Sequence, residues 1–233
     1  MREAYGVDAP GVVRSFALFG AVITALIYPV HLLLPGWVAI VLAIYAADFW
    51  IQMGWMLYGS LIGKRRLWAG QLDRLGLTGD ERVLEVGPGR GAVLVAAAKR
   101  LPRGRAVGVD IWRSQDQSGN SPEALLRNAW IAGVDDRIDV RRGDMRSLPC
   151  RDREFDVVLA SFAIHNLPAS DQQRALNEIV RVLEPGGRIV IMDFRRTAHY
   201  AGTLQRLGAR DIRRSRLQWQ LHPPVRIVTA SVG

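Results

Sequence analysis

Apolar residues crowd the first quarter of the chain and then thin out. Ser15 to Leu34 reads SFALFGAVITALIYPVHLLL, 20 residues without a formal charge. Pro35-Gly36 interrupts it, and Trp37 to Gly59, WVAIVLAIYAADFWIQMGWMLYG, adds 23 residues whose one charge is Asp48. Each run is long enough to cross a hydrocarbon core of ~30 Å at ~1.5 Å per helical residue. A cleaved signal peptide has a shorter apolar region and no second run directly behind it. The competing reading is a buried hairpin in a soluble protein, and two adjacent runs of this length disfavour it. The Pro-Gly link permits only a tight helical turn, so the N-terminus and the rest of the chain lie on one side. Arg14 precedes the first run, Lys64-Arg65-Arg66 follows the second, and the turn is uncharged. Positive-inside bias therefore predicts a two-pass protein of the inner, cytoplasmic membrane with both ends in the cytoplasm. Trp37, Trp55 and Tyr58 sit where interfacial aromatics belong. Asp48 falls at the depth of Thr24. It is read first as hydrogen-bonded glue within the hairpin or between copies of the chain, which leaves a homo-oligomer through the hairpin open, and second as a polar contact for a lipid-borne substrate.

From Lys64 onward the periodicity changes to strand and helix in alternation. RRLWAGQLDRL (65–75) reads as a helix, RVLEV (82–86) as a strand and GAVLVAAAKRL (91–101) as a helix. RAVGVD (105–110) is a strand, and Ser121-Pro122-Glu123 supplies cap, N1 proline and early acid for a helix to about Ala132. RIDVRRG (137–143) and FDVVLA (155–160) are strands, and Ser170 is expected to cap a helix reaching Leu183. Pro185-Gly186-Gly187 turns into RIVIMDF (188–194), and Thr197 to Leu207 is a short helix. Two strands close the chain, within 211–221 and 225–232, joined around Pro223-Pro224. Such alternation predicts an α/β, Rossmann-like doubly wound sheet of seven strands, mostly parallel, with an antiparallel hairpin at its C-terminal edge. Two transmembrane helices precede it. The expected domains are 1–63, the hairpin with spans at about 15–34 and 37–59, and 64–233. Ligands of such sheets sit at the carboxyl ends of the strands.

Charge narrows the partners. The formal net charge is +9, which suits nucleic acid or an anionic membrane face. The single cysteine, Cys150, excludes an internal disulfide and a cysteine-based zinc site, and the four histidines lack metal-ligand spacing. No metal is expected.

The stretch Val83–Leu101, VLEVGPGRGAVLVAAAKRL, carries the candidate chemistry. Gly87, Gly89 and Gly91 are spaced G-x-G-x-G. This is neither the G-x-G-x-x-G of dinucleotide sites nor, without a following Lys-Ser or Lys-Thr, a P-loop. The glycines allow a tight turn and close backbone approach to a ligand. Glu85, two residues ahead, would repel a pyrophosphate and suits a cation. The next strand ends in Asp110, 25 residues later, where a carboxylate accepts hydrogen bonds from a ribose diol. Ile111 and Trp112 can pack on a purine, and Asp144, in Gly143-Asp144-Met145, can meet an exocyclic amine. Ribose, adenine and a cationic tail together describe S-adenosylmethionine.

With these motifs the chain resembles the class I S-adenosylmethionine-dependent methyltransferases. EVGPGRG (85–91) matches the first family motif, and VGVDIW, GDMRSLP, FDVVLASFAIHNLP and RVLEPGGRIVIMDF match later ones in order. The resemblance spans about 64–233 and is nearest the ubiquinone/menaquinone and small-molecule branch; the apolar hairpin lies outside the family pattern. It implies that Glu85, Gly87, Gly89 and Gly91 hold the methionine end of the donor. Asp110 would bind the ribose, and Ile111, Trp112, Asp144 and Met145 would surround the adenine. Ser161 would line the methyl-donor pocket.

A sulfonium donor is already activated, so positioning can supply most of the catalysis. His165 stands at a strand's carboxyl end and is the candidate base, against a purely structural role. Tyr58 and Lys64 can belong to a lid or simply anchor at the interface. Enzymes of this fold that methylate base nitrogens carry Asn/Asp-Pro-Pro-aromatic after the fourth strand, and SFAIHNLP is not that. Arg195, Arg196, Arg213, Arg214 and Arg216 read as a membrane-facing surface. Three functions stay open. The favoured one is a membrane-anchored methyltransferase with a small lipophilic acceptor: a quinone, isoprenoid, lipid or xenobiotic. The alternatives are a nucleic-acid methyltransferase, which the hairpin and SFAIHNLP disfavour, and a non-catalytic S-adenosylmethionine-binding membrane protein.

Overall fold

A computed structural model of the chain describes residues 3–113 and 117–233. The two apolar runs form α1 (Pro10–Leu33) and α2 (Gly36–Tyr58), antiparallel across the Pro35 turn. Gly20 lets them close: a methyl group there would touch the Trp50 ring and Cβ of Phe49. Phe16 and Phe19 lie against Phe49 at 6.0 and 5.7 Å between ring centres. Thr24 accepts from Trp50 Nε1 at 3.2 Å, whereas Asp48 accepts from Gln52 of its own helix at 2.6 Å. Asp48 and Thr24 are therefore not partners. Ala39 and Ala46 mark the buried face of α2, and Asp48 lies two residues, ~200°, further round. Only 6% of the most apolar window of α1 is buried within the chain, and 11% of that of the second apolar helix.

That second helix does not stop at the expected boundary. A π-helical turn, Gly59–Gly63, joins α2 directly to α3 (Lys64–Leu75), so 36–75 is one continuous helix. The two glycines occupy one face, where the chain at Gln220–Leu221 packs; a methyl group on Gly63 would overlap the Gln220 carbonyl. The boundary expected at 63/64 therefore lies inside one helical strut.

The remaining elements are β1 (Arg82–Val86), α4 (Ala92–Ala98), β2 (Arg105–Asp110), α5 (Pro122–Ile131), β3 (Ile138–Arg142), β4 (Phe155–Ser161), α6 (Ala169–Val182), β5 (Leu183–Asp193), α7 (Thr197–Arg206), β6 (Arg210–Arg214) and β7 (Arg226–Ser231). The sheet order is β3-β2-β1-β4-β5-β7-β6, parallel through β5, with β7 antiparallel to both neighbours. It is the predicted seven-stranded Rossmann-like sheet with its antiparallel edge. Core side chains fill both faces. Trp68, Leu72, Leu94 and Leu125 pack on one, and Phe155, Leu176, Ile179 and Tyr200 on the other. Residues 172, 175, 176, 179 and 182 of α6 are buried, the spacing of a helix with one apolar face.

Two local expectations change. Helix α6 begins at Ala169, and Ser170 lies inside its first turn rather than capping it. The Pro168 carbonyl takes the first amides, from Asp171 and Gln172. The run 211–221 is strand only to Arg214. Ser215 ends the ladder by bonding Ile227 through both its amide and its hydroxyl. Beyond it Leu221 is buried against the glycines of the strut.

Candidate active site

The carboxyl ends of β1, β2, β4 and β5 surround a cavity of about 300 Å³. Gly87 and Gly89 turn the chain at φ +71° and +55°. A methyl group on Gly87 would come within 2.6 Å of Ala163 Cβ, and one on Gly89 within 2.5 Å of Gln117 Oε1. The loop is thus close-packed from outside as well as left-handed, which only glycine tolerates. Asp110 accepts from Gly89 N at 3.0 Å and Trp112 N at 2.8 Å, so this carboxylate ties the glycine loop to the end of β2.

Glu85 is 1% exposed, and its Oε2 has no hydrogen-bond partner. Burial pushes its carboxyl up to about 8, against the opposing pull of Lys64. A buried carboxyl with an unmet oxygen at the cavity wall calls for a cation or donor from the ligand.

The sequence-predicted residues divide by position. Glu85, Gly87, Gly89, Asp110, Ile111, Met145, Ser161 and His165 line the cavity together. Gly91, Trp112 and Asp144 do not. Gly91 is the left-handed N-cap of α4, packed on Leu125. Trp112 packs against the core, with its Nε1 buried and unpaired. Asp144 is forked by the Arg146 guanidinium, which holds its carboxyl below the usual range. Ser161 accepts from Trp68 Nε1 at 2.9 Å, which fixes its hydroxyl to α3. Lys64 also lines the cavity, buried, while Tyr58 stays at the surface.

Several cavity residues escaped the sequence reading. The segment before α1 folds back as a strap over the site. Ala4 and Asn128 exchange two hydrogen bonds, and Val7 N donates to Ser118 Oγ. Asp8 pairs with Lys64 at 2.6 Å and accepts from Gln117 Nε2 at 3.1 Å; Gln117 in turn accepts from Arg90 N. Asp8 and Ala9 line the cavity from this strap. Met56, Gly59 and Ser60 line it from the strut, and Leu221, His222 and Pro223 from the β6–β7 loop. No local pattern in the sequence ties residue 8 to residue 117. Asp193, at the end of β5, was also passed over: its Oδ1 lies 3.0 Å from His165 Nδ1.

Residues 84–191 match the methyltransferase domain family. These residues form a methyltransferase domain, similar to those of class I S-adenosylmethionine-dependent enzymes. The ubiquinone/menaquinone biosynthesis C-methyltransferase UbiE of Roseobacter denitrificans is 34% identical over 134 residues, 57% of this chain and 50% of that protein. The chain spans about half the length of the curated relatives it matches. Among solved structures, an S-adenosylmethionine-dependent methyltransferase from Aquifex aeolicus superposes with a TM-score of 0.55 at 19% identity, covering 71% of this chain and 89% of that one. The [4+2]-cyclase SpnF superposes with a TM-score of 0.60 at 21% identity, covering 72% and 81%. A cyclase on the same scaffold shows that the fold alone does not settle the reaction.

The methyltransferase site fits its donor on its own chemistry. The unmet Glu85 oxygen, the close-approach loop of Gly87 and Gly89, and Asp110 are the groups that a cationic amino-acid tail and a ribose require. The bound donor supplies a methyl group already activated on a sulfonium. Glu85, the loop of Gly87 and Gly89, and Asp110 would hold and orient it.

Proposed function

We propose that the chain is a membrane-anchored methyltransferase whose acceptor is a small lipophilic molecule arriving from the bilayer. The observation that carries this reading is the cavity's third wall. Met56, Gly59 and Ser60 belong to the same continuous helix as the apolar span, so the foot of that span is also a wall of the methyl-transfer chamber. Around it lie exposed Tyr58, Leu61 and Ile62, and across it Leu217 and Trp219 of the β6–β7 loop. Trp55 Nε1 donates to the Trp219 carbonyl, and their rings stack at 6.4 Å. Arg65 and Arg66 at the start of α3, and Arg213, Arg214 and Arg216 before and within the β6–β7 loop, are exposed. Apolar tips, interfacial tryptophans and exposed arginines suit an anionic cytoplasmic leaflet. The hairpin, two-pass, places the catalytic part on the cytoplasmic side. Glu85, Gly87, Gly89, Asp110, Ile111 and Met145 serve as the donor subsite. The quinones in the names of the similar biosynthetic C-methyltransferases belong to the required class.

The test is surface dilution with the full-length protein in nanodiscs. The rate on a bilayer-dissolved acceptor should follow its mole fraction in the lipid at constant bulk concentration. A rate that follows bulk concentration alone, or a preference for a water-soluble acceptor, contradicts the reading.

A further inference from the structure

Strands β4 and β5 are neighbours, and their register sets Ser161 beside Met192. The segments leaving them bring His165 and Asp193 together, with Nδ1 and Oδ1 3.0 Å apart though not aligned as a good hydrogen bond. Asp193 is fully buried. Its Oδ1 also accepts from Phe194 N at 2.8 Å, and its Oδ2 accepts from Tyr200 O–H at 3.2 Å. Burial, and then Asp193 itself, raise the Tyr200 hydroxyl above its ordinary range, so it stays a donor. These contacts fix the carboxyl group's position beside the imidazole. With Nδ1 turned to Asp193, Nε2 is the ring nitrogen left for the cavity that His165 lines. The imidazole edge lies on Phe194 at 4.6 Å and on Phe162 at 6.4 Å.

We propose that His165 accepts the acceptor's proton through Nε2, that Asp193 is its positioning residue, and that the acceptor group is a hydroxyl on an aromatic ring. This rests on the methyl-transfer reading above. The other ionisable groups around the cavity have different engagements. Glu85 and Asp110 lie at the donor's end, and Asp8 and Lys64 pair with each other. Lys64 Nζ stands 5.9 Å from the Phe162 ring, while Arg195 donates to the His165 carbonyl. His222 lies against Trp55 at 5.1 Å, and no carboxylate partner is found for it among the described residues.

An amine reaches such a site having already lost its proton, and a thiol ionises unaided; an aliphatic alcohol is too weak an acid for imidazole. An aromatic hydroxyl, near pKa ~10 against ~6.5 for imidazole, is within reach when proton loss accompanies bond formation. Phe162 and Phe194 suit a flat ring. In the step, the O–H bond breaks and its proton passes to Nε2. The oxygen's electron pair forms the O–CH3 bond, and the pair of the breaking S–CH3 bond stays on the donor's sulfur, leaving a neutral thioether. The imidazolium then returns its proton to solvent.

The experiment uses the full-length protein in nanodiscs with 2-naphthol, 4-nitrophenol and octylamine as probes. His165→Gln should lower kcat on 2-naphthol by ~10²–10⁴-fold, with donor affinity by calorimetry unchanged. Asp193→Asn keeps the side chain's size and one acceptor oxygen, for Phe194 N, but turns the oxygen that Tyr200 bonds into an amide nitrogen and loses the charge. It should lower kcat at least ~10-fold, and the loss in both variants should be smaller on the more acidic 4-nitrophenol. A readout independent of turnover is the visible band of nitrophenolate bound with S-adenosylhomocysteine. That band should develop at lower pH in the unsubstituted protein than in His165→Gln, by one pH unit or more. Equal bands, a loss independent of acceptor acidity, or no binding of either phenol overturns the proposal. So does a collapse of turnover in His222→Gln with His165→Gln unaffected. Efficient transfer to octylamine by the unsubstituted protein, with neither phenol methylated, would overturn the aromatic-hydroxyl assignment while leaving the lipophilic-acceptor reading intact.

Discussion

Glu85 couples the fold around the cavity to pH. Its carboxyl is ordinarily near 4.5 and rises to about 8 in the folded protein. Below 4.5 both folded and unfolded states hold the proton. Between 4.5 and 8 the unfolded chain is ionised and the folded one is not, so this group's contribution to stability is lost as pH rises through that window and is flat above it. Glu85→Gln should abolish that slope. Denaturant unfolding in mild detergent from pH 4 to 9 checks it, because the difference between the two proteins isolates residue 85 from the carboxylates shifted the other way; parallel curves contradict it. Asp110 gives a second prediction. Asp110→Ala should weaken S-adenosylmethionine binding by about 1–3 kcal/mol through lost charge-assisted bonds to the ribose, and should also free the Gly89 and Trp112 amides. Calorimetry decides it, and unchanged affinity in a folded variant removes Asp110 from the donor subsite. Residues at strand ends were legible in sequence because each β-to-α crossing returns to the same sheet edge. Trp112 and Asp144 were placed by the same logic, yet core packing captures one and Arg146 the other. Proximity along the chain does not decide which neighbour a side chain takes.

Among the elements, the strut between the apolar hairpin and the sheet departs most from the pattern. Composition shows where apolar residues end; it does not show that the helix continues. The reason lies in Gly59 and Gly63, whose bare face receives the backbone of a loop more than 150 residues away. Gly63→Ala should destabilise the protein by about 1–3 kcal/mol and disturb the cavity wall. Gly70→Ala, on the same helix with nothing near its absent side chain, should stabilise it by about 0.5–1 kcal/mol. Paired unfolding curves test both; equal effects at the two sites would show that Gly63 is not a contact point. The strands and their order were legible because buried β runs, glycine turns and capped helices alternate regularly. The strap Glu3–Ala9 was not, since its hold on Ser118 and Asn128 depends on long-range hydrogen bonds that no local periodicity encodes.

At the scale of the whole molecule, residues of the strap before α1 and of the strut after α2 line the same cavity as the strand ends of the sheet. Asp8, ahead of the first apolar helix, is bonded to Lys64 and Gln117 at the cavity rim. Cutting the chain near Lys64 should therefore cost donor affinity as well as membrane attachment. Isothermal titration of the truncated and full-length proteins tests this; equal donor affinity would mean the strap contributes nothing to the site. The most direct test of the central claim is mass spectrometry of native membrane extract incubated with the full-length protein and isotopically labelled S-adenosylmethionine. The structure predicts the label in a small organic-soluble molecule bearing a new methyl group. Label confined to RNA or to water-soluble compounds would contradict it, as would tight donor binding with no labelled product.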